Sequence, residues 1–184
     1  MRAEDSDTKS PIPEAFNKSF IWQVCLVAAM GGLLFGYDWV VVGGAKPFYE
    51  LYFNVTGPDK AWLAGWLMSS ALVGCLAGAL LSGAITDRIG RKKVLILSAI
   101  LFTVSAIWTG LSFGINAFVA ARILGGIGIG LASNVSPIYI AEVAPPHIRG
   151  RLVALNQLTL NIGILVAQSV SYTHLRAHET GRNL

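Results

Sequence analysis

Five apolar runs alternate with short polar segments along the chain, at about 20–44, 61–85, 94–113, 117–140 and 152–170. Each reaches the roughly 18 residues of low charge that mark a membrane-crossing helix. Backbone polar groups have no partner in lipid, so such runs close their hydrogen bonds internally as helices. The pattern predicts an all-α membrane protein of about five transmembrane helices. Within the second run Ser70, Gly74, Gly78 and Ser82 recur every four residues. They form one small-residue face on which another helix can pack closely. Trp62 and Trp66 stand at the start of that run, where an interfacial aromatic belt would place them.

The segments between the runs read as loops and tails. Residues 1–19 are polar with Pro11 and Pro13, a flexible tail. The run from Phe20 is too long for the apolar part of a signal peptide, roughly 7–15 residues, so a retained first helix is expected. Lys46 to Lys60, with Pro47 and Gly57-Pro58-Asp59, reads as a loop. Its Asn54-Val55-Thr56 matches a glycosylation acceptor, a three-residue match that chance explains. Apolar patterning stops at Ser171, and 171–184 reads as a polar tail foreign to a truncated gene. His174 and His178 are spaced as two metal ligands on one helical face, but no third ligand stands near. No metal site and no cofactor is expected.

Composition supports lipid as the solvent. Charged residues make up 13% of the chain and apolar ones 54%, against about 25% charged in a soluble domain. The net charge of +4 is no nucleic-acid footprint, because the cations fall in short loops between apolar runs. Cys25 and Cys75 lie within apolar runs and read as small buried residues. The loops after runs two and four are basic, and the Gly114-Ile115-Asn116 turn between them is uncharged. The positive-inside rule then puts both basic loops and the N-terminus in the cytoplasm.

Two charges break the apolar spans. Asp38 is the only formal charge from Phe20 to Ala45, and Arg122 is the one charge in the apolar part of run four. An isolated carboxylate near a helix centre costs about 2.5–3.5 kcal/mol on insertion scales. Asp38 lies about six residues, roughly 9 Å, from the outer end of its run, and Arg122 about five, roughly 8 Å, from the outer end of its own. Arg122, Gly126, Gly130 and Asn134 share one face, and the glycines allow a second backbone to approach. The pair is expected to meet inside the bilayer. The plainer reading is two side chains that snorkel separately to the surface. A carboxylate whose partner can move away can take up and release a proton as a bundle rearranges. In run five Gln157, Asn161 and Gln168 share a face with Ile164. Amides there line a cavity that suits polyhydroxy ligands, or else bond helix to helix. Phe35 and Tyr37 could add an apolar or stacking wall. No phosphate-binding loop, metalloprotease or serine-hydrolase motif is present, so an enzyme is not expected.

Several motifs together resemble one family. Gly83-xxx-Asp87-Arg88-x-Gly90-Arg91-Lys92 is similar to the loop between helices two and three of the major facilitator superfamily. Pro137-Ile138-Tyr139-Ile140-Ala141-Glu142-Val143-Ala144-Pro145-Pro146-x-x-Arg149-Gly150 resembles the sugar porter signature after helix four. Phe35-Gly36-Tyr37-Asp38, Arg122-xxx-Gly126 and Asn156-Gln157 extend the likeness over about 19–170. The resemblance is nearest to bacterial proton-coupled monosaccharide symporters. It implies that Asp38 and Arg122 couple protons, and that Gln157 and Phe35 bind sugar, with Asn161 on the amide face beside them. It implies that Gly83, Asp87, Arg88, Gly90, Arg91, Glu142 and Arg149 form a cytoplasmic gating network. The substrate it implies is a sugar of the xylose, glucose, galactose or arabinose kind, moved by alternating access in a bacterial inner membrane. Two features depart from the pattern. Ile164 stands where xylose symporters carry a second sugar-contacting glutamine, and five helices stand against the family's twelve. The resemblance therefore implies a partial N-terminal domain over 20–170 that lacks its C-terminal half and does not transport alone. A facilitative uniporter, a membrane sugar sensor and a dimerising half-transporter remain as alternatives.

Overall fold

A computed structural model describes residues 18–182; the side chains of Lys18, Phe20 and residues 174–182 lie outside that description. Residues 1–17 of the expected 1–19 tail and the His174/His178 pairing therefore fall outside what is described, and Lys18 and Ser19 already belong to the first helix. Every long element is a helix: α1 (Lys18–Gly44), α3 (Ala61–Ile89), α4 (Arg91–Gly110), α5 (Ile115–Val143) and α6 (Arg149–Arg182). A short helix, α2 (Lys46–Tyr52), and a 3₁₀ turn at Pro58–Lys60 join α1 to α3. Among the described residues, five helices are long and apolar enough to cross a membrane. Their outward faces carry bare apolar side chains, with Leu80 75% and Leu165 62% exposed. Such faces would be untenable in water and are ordinary against acyl chains.

Two parts of the reading need correction. The 46–60 segment is not all loop, because Lys46–Tyr52 is helical with Pro47 in its first turn. Proline has no N–H, and the first turn of a helix has no use for one, so Pro47 starts this helix rather than breaking it. The polar stretch after 170 does not end the last helix, which runs on to Arg182. Loss of apolar patterning removes packing without removing backbone hydrogen bonds, and propagating a helix already formed adds one such bond per residue.

The helices pair where small residues allow it. On α3, a Cβ built at Gly74 would strike the Ile123 carbonyl of α5, and one at Gly78 the Ile127 carbonyl. In return, Gly126 and Gly130 of α5 seat the carbonyls of Ala71 and Cys75. The α1–α6 contact repeats the device, with Gly36 on the Leu160 carbonyl and Gly163 on that of Leu33. Helix α4 lies along α5 through Val94, Leu131 and Val135. One end of the bundle holds the basic α3–α4 and α5–α6 connections, sealed by Ile21, Cys25, Ile140 and Leu152. The opposite end is sealed by Tyr49, Val55, Ala64, Leu67 and Phe118.

The α3–α4 joint is a single residue, Gly90, at φ +85° and ψ 152°. Side-chain-bearing residues occupy that region only under strain of about 1–3 kcal/mol. A Cβ there would meet nothing within 4 Å, so the cost lies in the backbone alone. Gly90→Ala is expected to lower thermal stability in detergent by about that amount. Melting at the wild-type temperature would show that this joint does not hold the two helices.

Candidate functional site

Asp38 projects from α1 and Arg122 from α5, with side chains 16% and 6% exposed. Nη1 of Arg122 lies 3.1 Å from both Oδ1 and Oδ2 of Asp38. One guanidinium nitrogen therefore serves both carboxylate oxygens, in place of the two-nitrogen fork that holds such pairs most firmly. Nε of Arg122 is buried with no hydrogen-bond partner. Arg122 stands one turn from Gly126, whose missing side chain lets α3 close on the same face of α5. The pair is thus held in a low-dielectric setting by close-packed helices, yet by a contact that a small rotation opens.

A polar-edged cavity of about 350 Å³ lies between α1, α5 and α6, with Phe35, Ser133, Pro137, Asn156 and Gln157 in its wall. Phe35 and Gln157 are brought together there. Asn161 is exposed and does not line it, and Gln168 is exposed as well. The Asn161 and Gln168 part of the amide face is thus turned outward from these five helices. Pro137 has no N–H for the Ser133 carbonyl one turn earlier, which leaves an acceptor in the cavity wall. A larger apolar cleft of about 600 Å³ opens between α1 and α4, with neither Asp38 nor Arg122 in its lining.

Sequence reasoning missed the polar net beside this cavity. The Ser136 hydroxyl lies 2.6 Å from the Ala28 carbonyl, to which it donates, and 3.2 Å from Oδ1 of Asn156. The Thr159 hydroxyl donates to the Ala29 carbonyl at 2.8 Å. Serine and threonine in apolar helices suggest such bonds, but the sequence does not say to which neighbour. Asn134, on the Arg122 face, donates to the Ala79 carbonyl and the Ser82 hydroxyl at 3.2 and 3.1 Å, tying α5 to α3.

At the basic end Arg91 donates to Glu142 at 3.0 Å and stands 3.9 Å from Asp87. Both pairs are solvent-exposed, and such pairs contribute about 0–1 kcal/mol. Arg88 and Arg149 form no ion pair among the described residues. Gly83 faces open space, and Gly90 serves as the joint. Tyr49 also went unremarked: it is buried at the end opposite the basic loops, its ring 5.5 Å from that of Phe118.

The profile of the family described as "Sugar (and other) transporter" matches residues 24–181. The chain belongs to the sugar transporter family. Within it, the chain is 45% identical over 160 residues to the glucose transport protein of Synechocystis, covering 87% of this chain and 33% of that protein. It is 41% identical over 179 residues to the D-xylose-proton symporter of Escherichia coli K12, covering 85% and 36%. A solved structure of the proton:xylose symporter XylE bound to 6-bromo-6-deoxy-D-glucose superposes with a TM-score of 0.80 at 39% identity, over 88% of this chain and 38% of that one. An inward-open structure of the Escherichia coli xylose transporter superposes at 0.77 with 40% identity, over 85% and 40%. The fold is that of the N-terminal half of a major facilitator transporter, and the protein is integral to the membrane. The chain spans about a third of the length of the curated sugar transporters it matches.

Proposed function

We propose that this chain supplies the proton-coupling part of a secondary active transporter that takes up a monosaccharide by alternating access. The observation that carries the reading is the Asp38–Arg122 contact at 3.1 Å inside the spans. Buried ionisable groups within a membrane domain are costly and mark ion pathways. Asp38 takes a proton when the pair opens toward one side, and re-forms the pair when the proton leaves toward the other. Gln157 and Phe35 hold the sugar from one wall, the amide through its donors and acceptors and the ring through its apolar face. Asn161, turned outward here, meets the sugar from the amide face of α6. Gly83, Asp87, Arg88, Gly90, Arg91, Glu142 and Arg149 gate the cytoplasmic side. The positive-inside rule places the two basic connections and the N-terminus in the cytoplasm, in a bacterial inner membrane. The names of relatives specific for xylose, arabinose and galactose, each a proton symporter, support a monosaccharide substrate.

Alternating access needs a second half to move against, so the test uses the complete gene product. Cells expressing it are expected to accumulate labelled xylose, glucose, galactose or arabinose, faster at acid than at alkaline external pH. A protonophore should abolish the accumulation. Downhill uptake that ignores both pH and protonophore would sink the symport reading. It would favour a facilitative uniporter of the same fold.

A further inference from the structure

Among the buried polar atoms without a hydrogen-bond partner, besides Oγ1 of Thr86 and Thr109, are Nε of Arg122 and the Tyr49 hydroxyl. These last two are complementary. The first is an N–H donor that never loses its charge, and the second is a hydroxyl with lone pairs to accept it. Tyr49 is only 8% exposed. Its ring packs on Phe118, one turn before Arg122 on α5, and Phe53 also packs on Phe118, with ring centroids 5.5 Å apart. Burial pushes the Tyr49 phenol up, Glu50 pushes it the same way, and the Arg122 charge opposes them.

We infer that the Tyr49 hydroxyl is the acceptor that receives the Arg122 guanidinium when Asp38 takes up a proton. Tyr49 is then a positioning residue for coupling. This rests on the proton-coupled reading above. In the ion-paired state Arg122 spends Nη1 on Asp38, and both Nε and the Tyr49 hydroxyl wait. Protonation removes the counter-charge, and a guanidinium in a low-dielectric site must then find a neutral acceptor. Of the acids at this end, Asp59 on the 3₁₀ turn is exposed to solvent. Glu50 of α2 is engaged with Lys46 at 3.7 Å, and Cys75 of α3 lies deeper. Helix α4, and α6 as far as Thr173, carry their charges at the basic end.

The test measures sugar uptake against external pH for the complete gene product in vesicles, wild type beside Tyr49→Phe. The ring stays, so the aromatic seal stays, and only the acceptor is lost. Half-maximal uptake is expected about one pH unit further into acid, a roughly tenfold loss in proton affinity, from removal of one hydrogen bond to a charged group. In an Asp38→Asn background the same change should leave the pH dependence of downhill exchange unaltered. A Tyr49→Phe profile with the wild-type midpoint would overturn the inference, even if less protein reached the membrane. A shift toward alkaline pH would overturn it too, by assigning the hydroxyl to the ion-paired state. A wild-type profile flat with pH would instead overturn the proton-coupled reading, and this inference with it.

Discussion

Asp38→Asn is expected to abolish sugar accumulation against a gradient while leaving a folded, membrane-inserted protein. Asparagine keeps an oxygen where Oδ1 now meets Nη1 of Arg122 at 3.1 Å, so one hydrogen bond survives. What is lost is the ability to carry a proton. Sugar should then only equilibrate across the membrane, and a protonophore should no longer matter. Asp38→Ala is a different experiment. It strands the Arg122 guanidinium, 6% exposed, with neither a counter-charge nor an acceptor. Removing one partner of a buried pair costs about 3–5 kcal/mol, so this variant should fail to fold or melt far below wild type. Comparing uptake and melting across the two variants separates coupling from stability. An Asp38→Asn protein that still concentrates sugar would remove Asp38 from the proton pathway.

Most of the architecture was legible because lipid makes the code simple. A run of apolar residues long enough to cross must be a helix, and five such runs became five long helices. The contact between Asp38 and Arg122 was legible for the same reason, since two charges at one depth in lipid have few alternatives to each other. Helix α2 was not legible, because a seven-residue element has too few positions to show a period. Pro47 pointed the wrong way until its position in the first turn was known. Tyr49 carried no signal at all: an aromatic between two spans reads as an interfacial anchor, and only the tertiary seal with Phe118 makes its hydroxyl a buried group. The amides of α6 show the limit of periodicity. Spacing put Gln157, Asn161 and Gln168 on one face, but what that face meets depends on surfaces that spacing does not encode. Gln157 borders the 350 Å³ cavity, while Asn161 does not.

The small-residue faces lead to the second large expected effect. Gly126→Ala should lower the stability of the bundle by about 1–3 kcal/mol, and Gly126→Leu should leave little folded protein to extract. The reason is what the new atom would meet. A Cβ at Gly126 falls on the Ala71 carbonyl oxygen and close to the Cys75 nitrogen, which are backbone atoms of α3. A side chain can rotate away from an intruder, whereas a helix backbone can only move as a whole. The contact is also reciprocal over two turns, through Gly74, Gly78, Gly126 and Gly130, so relief at one point separates the helices at all four. Displacing α5 moves Arg122, one turn from Gly126, and proton coupling should degrade before the fold does. Gly65→Ala provides the contrast. It lies on α3 too, but its Cβ would meet nothing within 4 Å. Alanine there should be neutral or stabilising by up to about 1 kcal/mol through helix propensity alone. Thermal melting of the three variants in detergent, read by size-exclusion fluorescence, makes the comparison. If Gly126→Ala melted with wild type, the α3–α5 contact would not be the close backbone seam that fixes Arg122 opposite Asp38.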